Sequence, residues 1–369
     1  MHLFPFKAIY LNLDLVASPD TFSEKVKLEY LTYKEHGFFS SCKNESLYIY
    51  RIIDPIRNYT GIVACASMQD YLDGKIKKHE NTLPTKEQHQ TSLLLNRKAV
   101  VKPILLTYPT VSAIQEFSND FIESHEPFLE IPFELDNQTH QFWRVTAPDQ
   151  IQTLKAFFEE HVHSAYIADG HHRMASMAHL YEGTKGGETN SPYKHQLCAF
   201  FPSSELDILD YNRVVEGLDD ISLTTFMAHI SQIMDIEVLL KPSRPREKHE
   251  MVMFINKEWF RLRWRKRLME SFQGDEVLLD VQLLNELILE NILDISDVRT
   301  DDRVKYIDGR KGIRGVSERV DKNSNRVGFF LYPVAMNDFM RIADEGNILP
   351  PKSTYFEPRI RNGVLIQGI

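Results

Sequence analysis

Five consecutive residues, Asp169-Gly170-His171-His172-Arg173, carry the densest chemistry in the sequence. They fall between a short apolar run, Ala165–Ala168 (AYIA), and a stretch in which Met174, Met177, Ala178 and Tyr181 recur at i, i+3, i+4 and i+7. That spacing is one apolar helix face. The pattern predicts a strand, a tight turn at Asp169-Gly170, and a helix closed by Gly183. A helix start exposes unpaired N–H groups and a partial positive charge, so acidic side chains belong there and cationic ones do not. Asp169 obeys that rule as the expected N-cap. His171, His172 and Arg173 break it, at a few tenths to about 1 kcal/mol for each charge. An anion docked on the turn would reverse the sign of that cost. Backbone N–H groups, the helix field, a guanidinium fork and imidazole donors would then converge on one phosphate. The plainer alternative keeps Asp169 as a cap and points the imidazoles and the guanidinium into solvent.

Other groups invite chemistry with more ordinary alternatives beside them. Lys352-Ser353-Thr354 follows Leu349-Pro350-Pro351, which forces an extended approach. A lysine beside two hydroxyls suits a phosphate or a carboxylate, but no glycine-rich loop precedes it, so it is not a P-loop. The plainer reading is a fold-back held by hydroxyl–backbone bonds, with Tyr355 and Phe356 packing. His161 and His163, with Asp169 and His171 or His172, could ligate a metal, which makes a metal-dependent hydrolase the main rival. Histidines at a helix end also favour the dipole without any metal. His79 and Glu80 stand in a polar, basic connector, KIKKHENTLP; read alone, Glu80 is exposed charge and His79 is structural. Lys86 and Glu87 read as the solvated start of a helix, and Arg213 as half of a surface ion pair. Arg261, Arg263 and Arg265 alternate with Phe260, Leu262 and Trp264, which predicts a strand with a solvated basic face.

The elements that must position these groups follow from periodicity. Leu47–Ile53 and Gly61–Ala66 read as strands, and Ser67 with Asp70 as a capping box before a short helix. Thr85 with Gln88 reads as a second box, opening a helix to about Arg97. Lys102–Tyr108 reads as a strand and Val111–Ile122 as a helix. Pro148-Asp149 begins a helix marked by Ile151, Leu154, Phe157, Phe158 and Val162. A polar loop, GTKGGETNSP, separates the Gly183 helix end from a strand at Gln196–Phe201. Helix, strand, helix and strand in that order indicate an α/β core. Further on, the sequence predicts a helix at Ser222–Met234 and a strand pair, Met251–Ile255 and Trp259–Trp264, hinged at Asn256-Lys257. A long helix over Asp280–Leu293 and charged connectors over 296–326 come next. A GFFLY strand, a helix at Asn337–Asp344 and a hairpin turn at Asn362-Gly363 complete the chain.

Composition narrows the function classes. The 369 residues are 43% hydrophobic and 26% charged, the balance of a folded chain with room for about two domains. The net charge of −9 disfavours general binding to nucleic acid or to anionic membranes. Three scattered cysteines, Cys42, Cys65 and Cys198, argue against a disulfide scaffold. No stretch approaches the roughly twenty apolar residues of a membrane span. The expectation is a cytoplasmic protein without a signal peptide.

Three segments taken together, KIKKHENTLPTKE, IADGHHRMASM and LPPKSTYFEPRIRNGVLI, resemble a prokaryotic family, domain of unknown function 1015. Its signature joins an ADGHHR turn to an earlier HExTxxxKE segment and a late PxKSTxFxPK segment. More distantly, the DGHHR turn is similar to the phosphate-binding turn of the ParB/sulfiredoxin superfamily, which includes free-serine kinases. The resemblance implies an α/β (α+β) protein: a ParB/sulfiredoxin-like nucleotide-binding core over 1–215 and an α+β portion over 216–369. It implies phosphotransfer to the hydroxyl of a small metabolite, free serine being the best single guess, with ATP or ADP and Mg²⁺ as cofactors. On that basis Glu80, Asp169 and His172 are the catalytic candidates, Glu80 as the base and Asp169 orienting a histidine or touching Mg²⁺. Gly170, His171, His172, Arg173, Lys352, Ser353 and Thr354 are the phosphate or nucleotide contacts, and no resident protein-bound metal is expected. Where relatives carry an acidic residue and an arginine after the KE pair, this chain has His89-Gln90. The expected partners are a nucleotide and a small substrate, with self-association open. A nucleotide-sensing or DNA-associated binding module is the second alternative.

Overall fold

The computed structural model describes residues 1–184, 191–219, 221–272, 274 and 277–369. Most of the GTKGGETNSP loop therefore lies outside the described residues. The chain divides into two compact units, Met1–Asp207 with Pro358–Ile369, and Ile208–Glu357. No linker composition marks either crossing. The return of the C-terminal segment to the first unit is set by strand pairing far apart in sequence.

The first unit is built on a nine-stranded mixed sheet. Its order is Ile76–Lys77, Ala165–Asp169, Ile104–Tyr108, His195–Pro202, Asn58–Ser67, Leu47–Ile53, Gln138–Val145 and Leu129–Phe133, with Leu3–Phe4 beside Asn58–Ser67. The expected LYIYRII and GIVACA strands lie antiparallel, and Tyr48, Ile49 and Tyr50 are buried in succession. Burial of consecutive residues means that both faces of that strand are covered. Helices Pro148–His161 and His171–Gly183 bracket the Ala165–Asp169 strand as the periodicity predicts. Ser67 caps its short helix by accepting from the Gln69 N–H. The Thr85 box does not form: the Pro84–Arg97 helix starts at Pro84, whose fixed φ suits a first helical position, and it has no side-chain cap.

A small sheet of Phe39–Ser41, Ala8–Leu11, Leu365–Gly368 and Ala99–Val100 completes this unit. It overturns the Asn362-Gly363 hairpin. Gly363 does adopt a positive φ (76°), but its N–H donates to the Val101 carbonyl at 2.7 Å, and Leu365–Gly368 pairs with Ala8–Leu11 instead of with a preceding strand.

The second unit is an antiparallel six-stranded sheet: Met234–Leu239, Glu258–Trp264, Glu250–Ile255, Arg326–Leu331, Tyr211–Glu216 and Val304–Asp308. The hinge at Asn256-Lys257 is a two-residue turn with both φ positive, at 48° and 63°, as the twist of a tight hairpin requires. The charged 296–326 segment holds a strand, Val304–Asp308, and a helix, Gly312–Val320. Val304, Ile307, Val316 and Val320 are buried there and Ile313 packs against them, too sparse a stripe to read among the charges. The long helix expected over Asp280–Leu293 is an α-turn, Asp280–Leu283, continued by a π-helix, Leu284–Glu290. Leu283 with Ile288 and Leu284 with Leu289, each five apart, are buried, which matches the wider π repeat.

The arginine stripe is corrected at Arg261. Arg261 exposes 3% of its side chain; its Nε is 3.0 Å from Glu250, and its Nη1 is 3.1 Å from Glu237. Arg263 lies 3.1 Å from the same buried Glu250 but stays half-exposed, as does Arg265, so the solvated face holds for those two and fails for Arg261. Arg213 is likewise no surface ion pair. It is buried, donates to the carbonyls of Tyr211 and Lys352, and lies 4.6 Å from the Tyr306 ring. Among the described residues no helix is long and apolar enough to cross a membrane.

Candidate active site

The DGHHR turn is prepared by a break in strand register. Ile167 pairs with Leu106, but Asp169 pairs with Leu105, leaving Ala168 as a bulge. A bulge re-aims the next side chain, and here that side chain is Asp169. Gly170 rather than Asp169 occupies the N-cap, with φ +116°, and no side chain caps the helix. A Cβ on Gly170 would stand 2.8 Å from Nη2 of Arg173. Glycine is thus required twice, by its own backbone and by the guanidinium folded against it.

Asp169 is the centre of a cationic cluster. Its Oδ2 accepts from Lys102 Nζ at 3.1 Å and from Arg173 Nη2 at 2.8 Å, and Arg359 Nη1 lies 3.9 Å from Oδ1. Burial by itself would raise the carboxyl pKa, but Lys102, Arg173 and Arg359 override it and hold Asp169 well below the usual carboxylate range. Burial pushes the Lys102 ammonium down, and Asp169 opposes that shift. Three cations therefore meet one carboxylate at a helix start. Arg173 does not reach outward: its Nη1 donates to the Lys102 and Pro103 carbonyls at 2.9 and 2.6 Å.

The histidines differ from each other. His171 is 5% exposed, with Nδ1 3.7 Å from Glu80 Oε2 and its ring perpendicular to His79 at 4.4 Å. Burial lowers its pKa to about 4, Asp169 opposes, and His172, Arg173 and Lys78 lower it further. His79 is also buried, and its pKa falls well below the ordinary value because of burial and the nearby His171. His172 Nε2 accepts the Leu83 N–H at 3.1 Å, which fixes its other nitrogen as the donor. Burial and then Lys86 lower its pKa. Ser176 donates to both the His172 and the Glu87 carbonyls, tying the His171–Gly183 helix to Pro84–Arg97. Glu87 is not solvated as expected, since it pairs with His179 at 3.3 Å.

The picture of solvent-directed side chains is thereby overturned for His171 and Arg173, and so is the assignment of charge. The imidazoles are neutral; the positive charge comes from Lys102, Arg173 and Arg359. Lys102 gave no sequence signal beyond opening an apolar strand. Arg359 could have been found, because it stands where the late family motif ends in a basic residue.

Glu80, half-exposed, is brought to the turn from the HENT segment. His79, Glu80 and His171 each offer a ligand atom within 4.8 Å of the others. His161 and His163 do not join that group; His161 Nε2 lies 3.9 Å from Glu160, beside Phe157. The cluster suggested for a hydrolase is not assembled. Lys352, Ser353 and Thr354 belong to the second unit. There Lys352 Nζ lies 5.4 Å from the Tyr211 ring, and Ser353 Oγ donates to the Pro350 carbonyl at 2.6 Å. That is the fold-back geometry. Tyr355 and Phe356 pack as expected, on Tyr211 and Phe339.

No curated protein matches the sequence significantly. Among solved structures, the chain is similar to a free serine kinase mutant in complex with ADP, at 13% identity and TM-score 0.37, covering 80% of this chain and 87% of that one. It is similar to SbnI with a C-terminal truncation from Staphylococcus aureus, at 10% identity and TM-score 0.40, covering 80% and 82%. A conserved hypothetical protein from Pyrococcus furiosus is similar at 11% identity and TM-score 0.36, covering 83% and 95%. A likeness this distant says nothing of substrate. The model of a family described as proteins of unknown function, DUF1015, matches residues 9–286, and the chain belongs to that family.

Proposed function

We propose that this protein is a nucleotide-dependent phosphotransferase acting on the hydroxyl of a small metabolite, with free serine as the first acceptor to test. One observation carries the reading: three cations surround one carboxylate at an uncapped helix start, with Glu80 close by. Cations gathered at a helix start favour an anion, and a helix N-terminus supplies N–H donors to phosphate oxygens. The phosphates of ATP or ADP would sit on the first-turn N–H groups of His171, His172 and Arg173. Lys102 and Arg359 neutralise their charge, and the Nδ1–H of His172 adds a donor.

Arg173 acts by holding the Gly170 turn. In transfer, the bond from the terminal phosphorus to the nucleotide oxygen breaks as the bond to the acceptor oxygen forms. Glu80 takes the acceptor's proton. Asp169, ringed by cations, does not suit Mg²⁺; the ion would arrive on the nucleotide phosphates. Any phosphate role for Lys352, Ser353 and Thr354 rests on their motif alone.

The test is a thermal shift with ATP and with ADP, each with Mg²⁺, followed by phosphorus NMR of products from an acceptor panel that includes serine. A wild-type protein whose melting temperature ignores both nucleotides would overturn the proposal. Glu80→Gln should lower turnover by about 100-fold or more while keeping the nucleotide shift. A fully active variant removes Glu80 as the base.

A further inference from the structure

We infer that His79, Glu80 and His171 form a binding site for one divalent transition-metal ion of the zinc class. The inference goes beyond phosphotransfer, and the binding itself does not depend on that reading. One ring nitrogen from each histidine and a Glu80 oxygen lie within 4.8 Å of one another, and His171 Nδ1 is 3.7 Å from Glu80 Oε2. Ligands on a tetrahedral ion with bonds near 2.0–2.1 Å stand about 3.4 Å apart. The two rings are already fixed, perpendicular and 4.4 Å apart. The remaining contraction falls to Glu80, a long, half-exposed side chain.

His171 is 5% exposed, so its ring is already desolvated and held beside Glu80 before any ion binds. Its other nitrogen, Nε2, is left for the ion only if the ring presents that edge to His79 and Glu80. Donor chemistry sets the class of ion. Two imidazoles and one carboxylate are the ligand set of open zinc sites, whereas Mg²⁺ prefers an all-oxygen shell. Three protein ligands leave the fourth position to water or to an anion. Lys78 and Arg173 act on the same His171 and oppose the incoming positive charge, so the affinity should be micromolar rather than that of a closed structural site.

An ion held there occupies the Glu80 carboxylate. If Glu80 is the base proposed above, zinc is a reversible inhibitor of transfer.

The experiment is a titration of the full chain, tag-free and stripped by a chelator, with Zn²⁺ against a chromophoric competitor. The expected result is one ion per chain, undisplaced by a large excess of Mg²⁺. Glu80→Gln should weaken binding ten-fold or more with an unchanged melting temperature, because Glu80 is half-exposed and its loss opens no cavity. His79→Ala should do the same wherever it folds. The double variant His161→Ala, His163→Ala should bind as the wild type does. No stoichiometric binding by the wild type, or full binding by Glu80→Gln, overturns the site. Loss of binding in the His161/His163 variant also overturns it, in favour of surface histidines. Turnover is not read in this titration, so failure of the metal site and failure of phosphotransfer are separate results.

Discussion

Around Glu250, Arg261 and Arg263 meet two carboxylates, Glu250 and Glu237. Around Asp169, Lys102, Arg173 and Arg359 meet a single one. The first cluster lies on the sheet of the second unit and is complete: each buried charge has its opposite. The second lies at an uncapped helix start in the first unit and gathers three cations on one carboxylate. Balanced charge around the buried Arg261–Glu250 pair serves the fold, because removing either partner strands the other. Cations that converge on one carboxylate at a helix start are useful to an anion. The two regions teach that a count of signs, rather than the mere presence of arginines, separates a structural network from a ligand site.

That contrast can be broken experimentally. The largest expected effect is on stability in the balanced cluster. Arg261→Ala leaves Glu250 buried with one partner fewer and should cost about 3 kcal/mol in denaturant unfolding, without altering nucleotide response. A cost under about 1 kcal/mol would show that the cluster is not the closed network described.

Gly170→Ala should cost about 1–3 kcal/mol, since φ +116° is strained for alanine and the new methyl meets the Arg173 guanidinium. If unfolding shows no loss, the turn is not as rigid as the Arg173 contacts imply.

Acid titration separates both clusters from the buried histidines. His140 is fully buried against Tyr50, and burial, then Arg361, lowers its pKa far below 6.5. Its folded value is depressed, so the stability it contributes is present above about pH 6.5 and is lost as pH falls below that unfolded value, at about 1.4 kcal/mol per unit for one proton. Asp169 is ionised throughout this window and contributes no slope there. His140→Gln should flatten the slope by one proton's share; an unchanged slope would assign it elsewhere.

The smallest effect on stability is expected where the effect on binding is plain. Arg359→Ala removes the most distant of the three cations while Lys102 and Arg173 keep their bonds to Asp169, so unfolding should change by less than about 1 kcal/mol. Nucleotide affinity, read by calorimetry, should fall about ten-fold, worth about 1.4 kcal/mol. If stability suffers and affinity does not, the Asp169 cluster is structural like that of Glu250, and the contrast fails.

Local signals were legible where they were strong and periodic. The strand before Asp169, the helix after it and the Asn256-Lys257 turn all follow from spacing and from residues that tolerate a positive φ. Signals that depend on a distant partner were not. Arg261 looks solvated until Glu250 and Glu237 are seen across the sheet. Asn362-Gly363 looks like a hairpin until Leu365–Gly368 is seen beside Ala8–Leu11. The strand and helix inside 296–326 were hidden because a few valines and isoleucines cannot outvote the surrounding charges.

The sequence by itself determined that a helix starts with basic groups after Asp169-Gly170, since period and glycine chemistry act over a few residues. Only the tertiary structure decided which groups carry the charge. Burial neutralises His171, Arg173 turns inward onto backbone carbonyls, and Lys102 and Arg359 arrive from segments remote in the chain. Protonation and ion pairing answer to the dielectric and to neighbours in space, and neither is written in local order.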